Sequence, residues 1–312
     1  MIDRIFCITP IKHLKGVYEY LETFGKVDYE PEIDEERIVE TDLTVYDVIF
    51  CNPNKQPFVL NKKTLQGFSG VILTASTGLN HIDLSYCKEN NIQVLSHTKD
   101  LELINQLPST SELAFGLMLS LLRKIPQGQK HVSEYGWDYT NLMGRQVKDL
   151  NIGIVGYGRL GRMMHKFCES FDAKVYVCDP YVELYGIPCL TMEEMFSKCD
   201  VISLHVHVSE ETREMVNKKS LESVTKPLYI INTSRGDIVN ERDVVLALER
   251  GVVAGYGTDV IVDEFGDVSK SPIIKAMNDG HNVIVTPHVG GMTWEGQQKA
   301  YMWSISKLRG LV

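Results

Sequence analysis

An arginine, a glutamate and a histidine in this chain each stand just after an apolar, strand-like run. Arg235 follows Leu228–Asn232, Glu264 follows Val252–Thr258, and His288 follows Val283–Thr286. Together these types suit proton and hydride chemistry on a hydroxy acid. A guanidinium grips a carboxylate with two parallel hydrogen bonds. A histidine exchanges a proton with the reacting oxygen, and a carboxylate beside it favours the charged imidazolium. Taken singly, each has a plainer reading: a surface ion pair for Arg235, a capping role for His288, a solvated loop charge for Glu264. A fourth feature upstream sets those readings aside.

That feature is Gly156-Tyr157-Gly158-Arg159-Leu160-Gly161, which follows the apolar run Ile152–Val155 and opens a helical pattern. Seventeen residues then lead to Asp179, enough for one helix, a turn and a second strand ending in an acid. In that context the glycines read as a dinucleotide-binding turn. Gly156 permits the tight turn, Gly158 lets backbone approach a pyrophosphate, and Gly161 lets helix and strand pack closely. The N–H groups that open the helix, around Arg159 and Leu160, face the phosphates with the positive dipole end. Asp179 accepts from the adenosine ribose hydroxyls and repels a 2′-phosphate. Pro180 and Tyr181 follow it, not Arg or Lys, so NAD is expected over NADP.

Positioning such groups takes repeated strand–helix units, and the sequence has them. Apolar runs at 4–8, 48–51, 71–75 and 92–95 read as parallel strands covered on both faces. Residues 83–89 read as a short helix. A longer one starts at Ser109, with Ser109 and Glu112 as a capping box, and Pro126 ends or kinks it. Its apolar residues cover much of its circumference, so it is expected to be buried, within its own domain or against a second subunit. From 150 onward the units are regular. Strands at 152–155, 174–178, 201–206, 228–232, 252–258 and 283–286 alternate with helices at 160–171, from Thr191, and at 241–250. A last helix spans 293–308. The fold class is α/β, with doubly wound parallel sheets.

Composition narrows the rest. The chain has 312 residues, enough for two domains. Its net charge of −9, from 32 basic and 41 acidic side chains, argues against a nucleic-acid surface. No run is long enough to cross a membrane, and the first residues lack a signal-peptide pattern. Seven cysteines are scattered, with no CxxC, so free thiols in a reducing cytoplasm are expected, and no metal site.

With these segments in view, the chain resembles the D-isomer-specific 2-hydroxyacid dehydrogenases. That family includes phosphoglycerate and glycerate dehydrogenases, hydroxypyruvate/glyoxylate reductase and D-lactate dehydrogenase. The matching stretches are 76–83, 109–126, the glycine loop with Asp179, 232–236 and 286–291. The 29-residue step from Arg235 to Glu264 also matches, as does Asp259, five residues before the Glu. The resemblance implies a Rossmann NAD domain, residues 100–289, inserted in a flavodoxin-like substrate domain, residues 1–99 plus 290–312, with ligand in the cleft between them. It implies that Arg235, Glu264 and His288 are catalytic, and that Asp259 meets the nicotinamide carboxamide. It places Thr233 and Ser234 with the cofactor, while His207, where this chain departs from the pattern, has two readings, the adenine side of the cofactor or a packing role. The substrate carboxylate falls to Arg235 and to N–H groups around Gly78 and Leu79, with Asn54 also on the substrate. The partners implied are a small 2-hydroxy or 2-oxo acid and a second copy of the chain in a homodimer.

The chain departs from the pattern in places. His205-Val206-His207 lacks the usual proline, and Asp263-Glu264-Phe265-Gly266 lacks the proline after the Glu. Asn52-Pro53-Asn54-Lys55 stands where phosphoglycerate dehydrogenases place Arg for a phosphate. A rival reading is an NAD(H)-sensing corepressor on the same fold. The complete Arg–Glu–His set argues for catalysis instead.

Overall fold

In the computed structural model, residues 2–53, 58–182 and 186–311 are described. The chain divides into two units, Met1–Leu107 with Gly291–Val312, and Pro108–Gly290. The first crossing thus falls at 107/108, beyond the 99/100 expected. Lys307, near the chain end, pairs with Asp100 at 2.5 Å, and Asp100 in turn hydrogen-bonds His97 at 2.9 Å. The Lys299 ammonium reaches the Gln106 side chain at 3.3 Å. These bonds tie residues 97–106 to the first unit.

The first unit carries a parallel sheet of β1 (Arg4–Cys7), β2 (Lys26–Tyr29), β3 (Val48–Cys51), β4 (Val71–Thr74) and β5 (Gln93–Leu95). Their order is β2-β1-β3-β4-β5, the flavodoxin-like winding. β3 is buried along its whole length, as its apolar run demands. β2 was not expected from the sequence. The helix Trp294–Ser306 closes one face of this unit. Tyr301, Ile305 and Leu308 are buried among Ile5, Phe50 and Leu73.

The second unit carries β6 (Asn151–Val155), β7 (Lys174–Cys178), β8 (Val201–Leu204), β9 (Leu228–Asn232), β10 (Val253–Thr258) and β11 (Val283–Val285). All pair in parallel, in the order β11-β10-β9-β8-β6-β7. Beyond β7, a single parallel bridge joins Val177 to Cys189. It stands where a Rossmann sheet has its third strand. The order reverses between β6 and β8, and in such sheets ligands bind at that point, outside the carboxyl ends of the strands.

The helix Ser109–Leu122 lies against β9 and β10 of its own unit, with Ala114, Leu117, Met118, Leu121 and Leu122 buried. Its cap differs from expectation. Pro108 already has near-helical φ and ψ, so the helix starts from it. The Ser111 and Glu112 N–H groups bond to the Pro108 carbonyl, and no Ser109–Glu112 capping box forms. The expected burial of this helix is met within its own unit. Pro126 lies in the first turn of a new helix, Ile125–Ser133, where its missing N–H costs nothing. Two helices further on start from side-chain caps. Thr191 and Glu194 cap each other's N–H groups, and Asn240 accepts from the Asp243 N–H.

Candidate active site

The glycine loop joins β6 to the helix Arg159–Ser170. Gly156 has φ +88, and a Cβ there would lie 2.5 Å from the His205 carbonyl oxygen. A Cβ on Gly161 would lie 2.0 Å from the Gly156 oxygen. Both positions therefore exclude any side chain. Gly158 is the opposite case, with nothing within 4 Å of an added Cβ, so the loop leaves open space above it. The Leu160 carbonyl accepts from the Ser111 hydroxyl at 3.0 Å, which pins the start of this helix to the one before it. Arg159 is half-buried beside it.

Asp179 ends β7 next to this loop. Its two oxygens accept from the Tyr157 N–H at 2.7 Å and the Tyr181 N–H at 2.9 Å. The carboxylate is thus oriented by the glycine turn itself. The neighbouring strand ends supply the rest. Thr233 is buried, and its hydroxyl has no partner among the described residues. A buried polar group of this kind marks a place for a ligand or water. Ser234 is different, since its hydroxyl donates to the Leu204 carbonyl at 2.8 Å and is spent on the sheet. His207 lies exposed on the loop after β8. The turn closed to side chains, the open space at Gly158 and the unpaired Thr233 hydroxyl together fit a bound dinucleotide.

His288 and Glu264 meet. The His288 Nδ1 lies 2.9 Å from a Glu264 carboxylate oxygen. An ionised carboxylate only accepts, so Nδ1 carries the proton and donates, and Nε2 is left for chemistry. His288 sits at φ +53, in the left-handed region that a histidine rarely occupies. Asp259 holds it there. The Asp259 carbonyl accepts the His288 N–H at 3.0 Å. Its carboxylate accepts from the Thr286 hydroxyl at 2.5 Å and from the Val289 and Gly290 N–H groups at 2.8 and 2.7 Å. Asp259 is therefore the anchor of the turn that presents His288, whatever else it touches.

Arg235 leaves the end of β9 beside this turn. Thr258 pairs in register with both Asn232 and Val285, so the three site strands are neighbours. One guanidinium nitrogen donates to the Ser234 carbonyl at 2.7 Å, which holds the side chain and leaves its other donors. Glu264 rides on a turn that does without proline. Asp263 takes φ +58, and the Gly266 N–H bonds back to its carbonyl at 3.0 Å. Sequence reasoning missed Glu241, a buried carboxylate whose pKa burial pushes up. It accepts from the Val262 N–H at 2.8 Å and the Ser271 hydroxyl at 3.1 Å, and so braces both ends of the loop that bears Glu264. Gly78 and Leu79 lie half-buried on the loop after β4 of the first unit. Asn54 lies outside the described residues, while Asn52 before it is buried.

Residues 115–290 match the family described as D-isomer specific 2-hydroxyacid dehydrogenase, NAD binding domain. The chain is 30% identical over 240 residues to a hydroxypyruvate reductase of Thermotoga maritima, an alignment covering 76% of each. It is also 30% identical over 232 residues to D-3-phosphoglycerate dehydrogenase of Bacillus subtilis, covering 73% of this chain but 42% of that protein. Among solved structures, the apo form of D-lactate dehydrogenase from Escherichia coli superposes with a TM-score of 0.82 at 20% identity, over 99% of this chain and 96% of that one. A glyoxylate reductase from Paecilomyes thermophila gives 0.83 at 22% identity, over 99% and 95%. These structural likenesses carry the fold, and the sequence matches carry the family. The chain belongs to the D-isomer-specific 2-hydroxyacid dehydrogenases, NAD-dependent oxidoreductases built on two parallel-sheet α/β domains.

Proposed function

We propose that this protein interconverts a small D-2-hydroxy acid and its 2-oxo acid, with Arg235, Glu264 and His288 as the working side chains. The 2.9 Å bond between Glu264 and His288, on the sheet that carries the glycine loop, is the observation that supports this most directly. The nicotinamide, when bound, carries the hydride to or from C2. His288 Nε2 donates its proton to the oxo oxygen in reduction and takes the hydroxyl proton in oxidation. Glu264 fixes the ring and balances the imidazolium charge. Arg235 holds the substrate carboxylate so that C2 faces its hydride partner. NADH oxidation assayed with a panel of 2-oxo acids, hydroxypyruvate, glyoxylate, pyruvate and 3-phosphohydroxypyruvate among them, tests the reading. NADH binding without turnover of any of them would favour the sensing role instead.

Asp179 makes the cofactor choice testable. A 2′-phosphate would meet a carboxylate already fixed by two backbone N–H groups, with no basic side chain supplied by Pro180 or Tyr181. The kcat/KM with NADH should exceed that with NADPH by about 10²-fold, the scale of a partly screened like-charge contact. Asp179→Ser should shrink the ratio. Equal values in the wild type would remove Asp179 from this role.

We also place the protein in solution as a cytoplasmic homodimer. No helix among the described residues is long and apolar enough to cross a membrane, and all seven cysteines are free. The segment after Ile125 exposes Tyr135 at 98%, Trp137 at 91% and Met143 at 74%, an apolar surface of the kind that interfaces cover. Sedimentation should find a dimer at micromolar concentration, and Trp137→Asp should shift it toward monomer. A wild-type monomer at that concentration would defeat the proposal.

A further inference from the structure

The loop after β4 contains a hydrogen-bonded chain that the catalytic reading does not use. His81 Nε2 lies 3.1 Å from the Thr74 hydroxyl, which lies 3.0 Å from the Ser76 hydroxyl, and Ser76 donates to the Gly78 carbonyl at 2.8 Å. Only one arrangement of protons satisfies all three bonds. The carbonyl accepts only, so Ser76 spends its one proton there. Ser76 must then accept from Thr74, and Thr74 must accept from His81. His81 is therefore the neutral tautomer protonated at Nε2. Its buried Nδ1 agrees, having no partner among the described residues. Burial of the ring also pulls its pKa down to about 4, so it stays neutral at ordinary pH.

The end of this chain sets a peptide plane. The Gly78 carbonyl and the Leu79 N–H belong to one planar trans unit and point in opposite directions. Drawing the carbonyl onto Ser76 turns the Leu79 N–H the other way. Among the described residues neither the Gly78 nor the Leu79 N–H has a hydrogen-bond partner. Two unpaired donors on a half-buried loop, one held by a polarised chain, suit an anionic oxygen.

We propose that His81 is a positioning residue for substrate binding, acting through Thr74 and Ser76 to hold the Leu79 N–H toward the substrate carboxylate. This rests on the reading that the Gly78–Leu79 backbone binds that carboxylate. His81→Phe keeps a ring but cannot donate, and Ser76→Ala cuts the last link. Each should raise KM for the 2-oxo acid on the order of 10-fold, the loss of one charge-assisted bond, with kcat and NADH affinity within about 3-fold of wild type. His81→Gln returns an N–H near the Nε2 position and should recover most of the loss. The double variant His81→Phe/Ser76→Ala should be no worse than Ser76→Ala alone, because both break one chain.

Effects that simply multiply, or an unchanged KM in Ser76→Ala, would overturn the proposal. Should His81→Phe fail to fold, the half-buried Ser76 still decides it. Replacing the amide at Leu79 by an ester, which deletes that N–H and also weakens the Gly78 carbonyl as an acceptor, tests the underlying reading separately. If the ester leaves KM unchanged, the loop does not bind the carboxylate and both ideas fall. If the ester raises KM while Ser76→Ala does not, only the role of His81 fails.

Discussion

His288→Ala should lower kcat for 2-oxo acid reduction by about 10²–10⁴-fold while leaving NADH affinity unchanged. The range is what a positioned acid or base contributes, and the geometry places His288 in that class. Its Nδ1 is committed to Glu264, its backbone N–H to the Asp259 carbonyl, and its φ of +53 is held by the bonds that Asp259 makes along 286–290. A residue so constrained has one free end, Nε2. Glu264→Gln should cost less, about 10-fold, because an amide oxygen still accepts from Nδ1 but no longer balances the imidazolium charge. Stopped-flow measurement of hydride transfer separates these effects from product release. A His288→Ala variant with near-normal single-turnover rates would move the proton donor elsewhere.

Arg235→Ala should lower kcat/KM by about 10³-fold, mostly through KM, since a guanidinium–carboxylate clamp binds ground state and transition state alike. Some kcat should also go, through a substrate carboxylate no longer aligned with the hydride path. Arg235→Lys restores the charge but not the fork, and it also loses the fixed bond to the Ser234 carbonyl. It should recover only part of the loss. Steady-state kinetics on both variants, with NADH saturating, make the comparison. Arg235→Lys with wild-type KM would show that charge alone is needed there.

How far the sequence carries is clearest at particular places. The glycine loop was readable because two of its glycines answer a local demand: a left-handed turn at Gly156 and no room for a side chain at Gly161. The carboxyl-edge positions of Arg235, Asp259 and His288 followed from apolar runs that could only be buried strands. β2 was missed because Lys26-Val27-Asp28-Tyr29 alternates charge with apolar groups, as an edge strand does, and lacks a continuous apolar run. The unit boundary was missed because Leu101–Ile104 is a single helical turn, and the bonds that tie this stretch to the first unit are made by its flanking residues, Asp100 with Lys307 and Gln106 with Lys299, about two hundred positions away. Glu241 was hidden in another way. Its local setting, the first turn of a helix capped by Asn240, already accounts for an acid there. The hydrogen bonds that give it a task come from Val262 and Ser271, far along the chain.

The path of the chain has a consequence for how the protein is made. The Thr9 hydroxyl lies 3.0 Å from that of Tyr301, a contact that spans 292 residues, and Tyr301, Ile305 and Leu308 complete the same core as Ile5 and Phe50. Unit 2 is one continuous stretch, Pro108–Gly290, whereas unit 1 is split around it. On the ribosome, the sheet begun by β1 therefore waits with an open apolar face while unit 2 is synthesised and closes. At translation speeds of about 5–20 residues per second, that wait is on the order of ten seconds or more. During it, the face built around Phe50 is the surface most in need of a chaperone's cover.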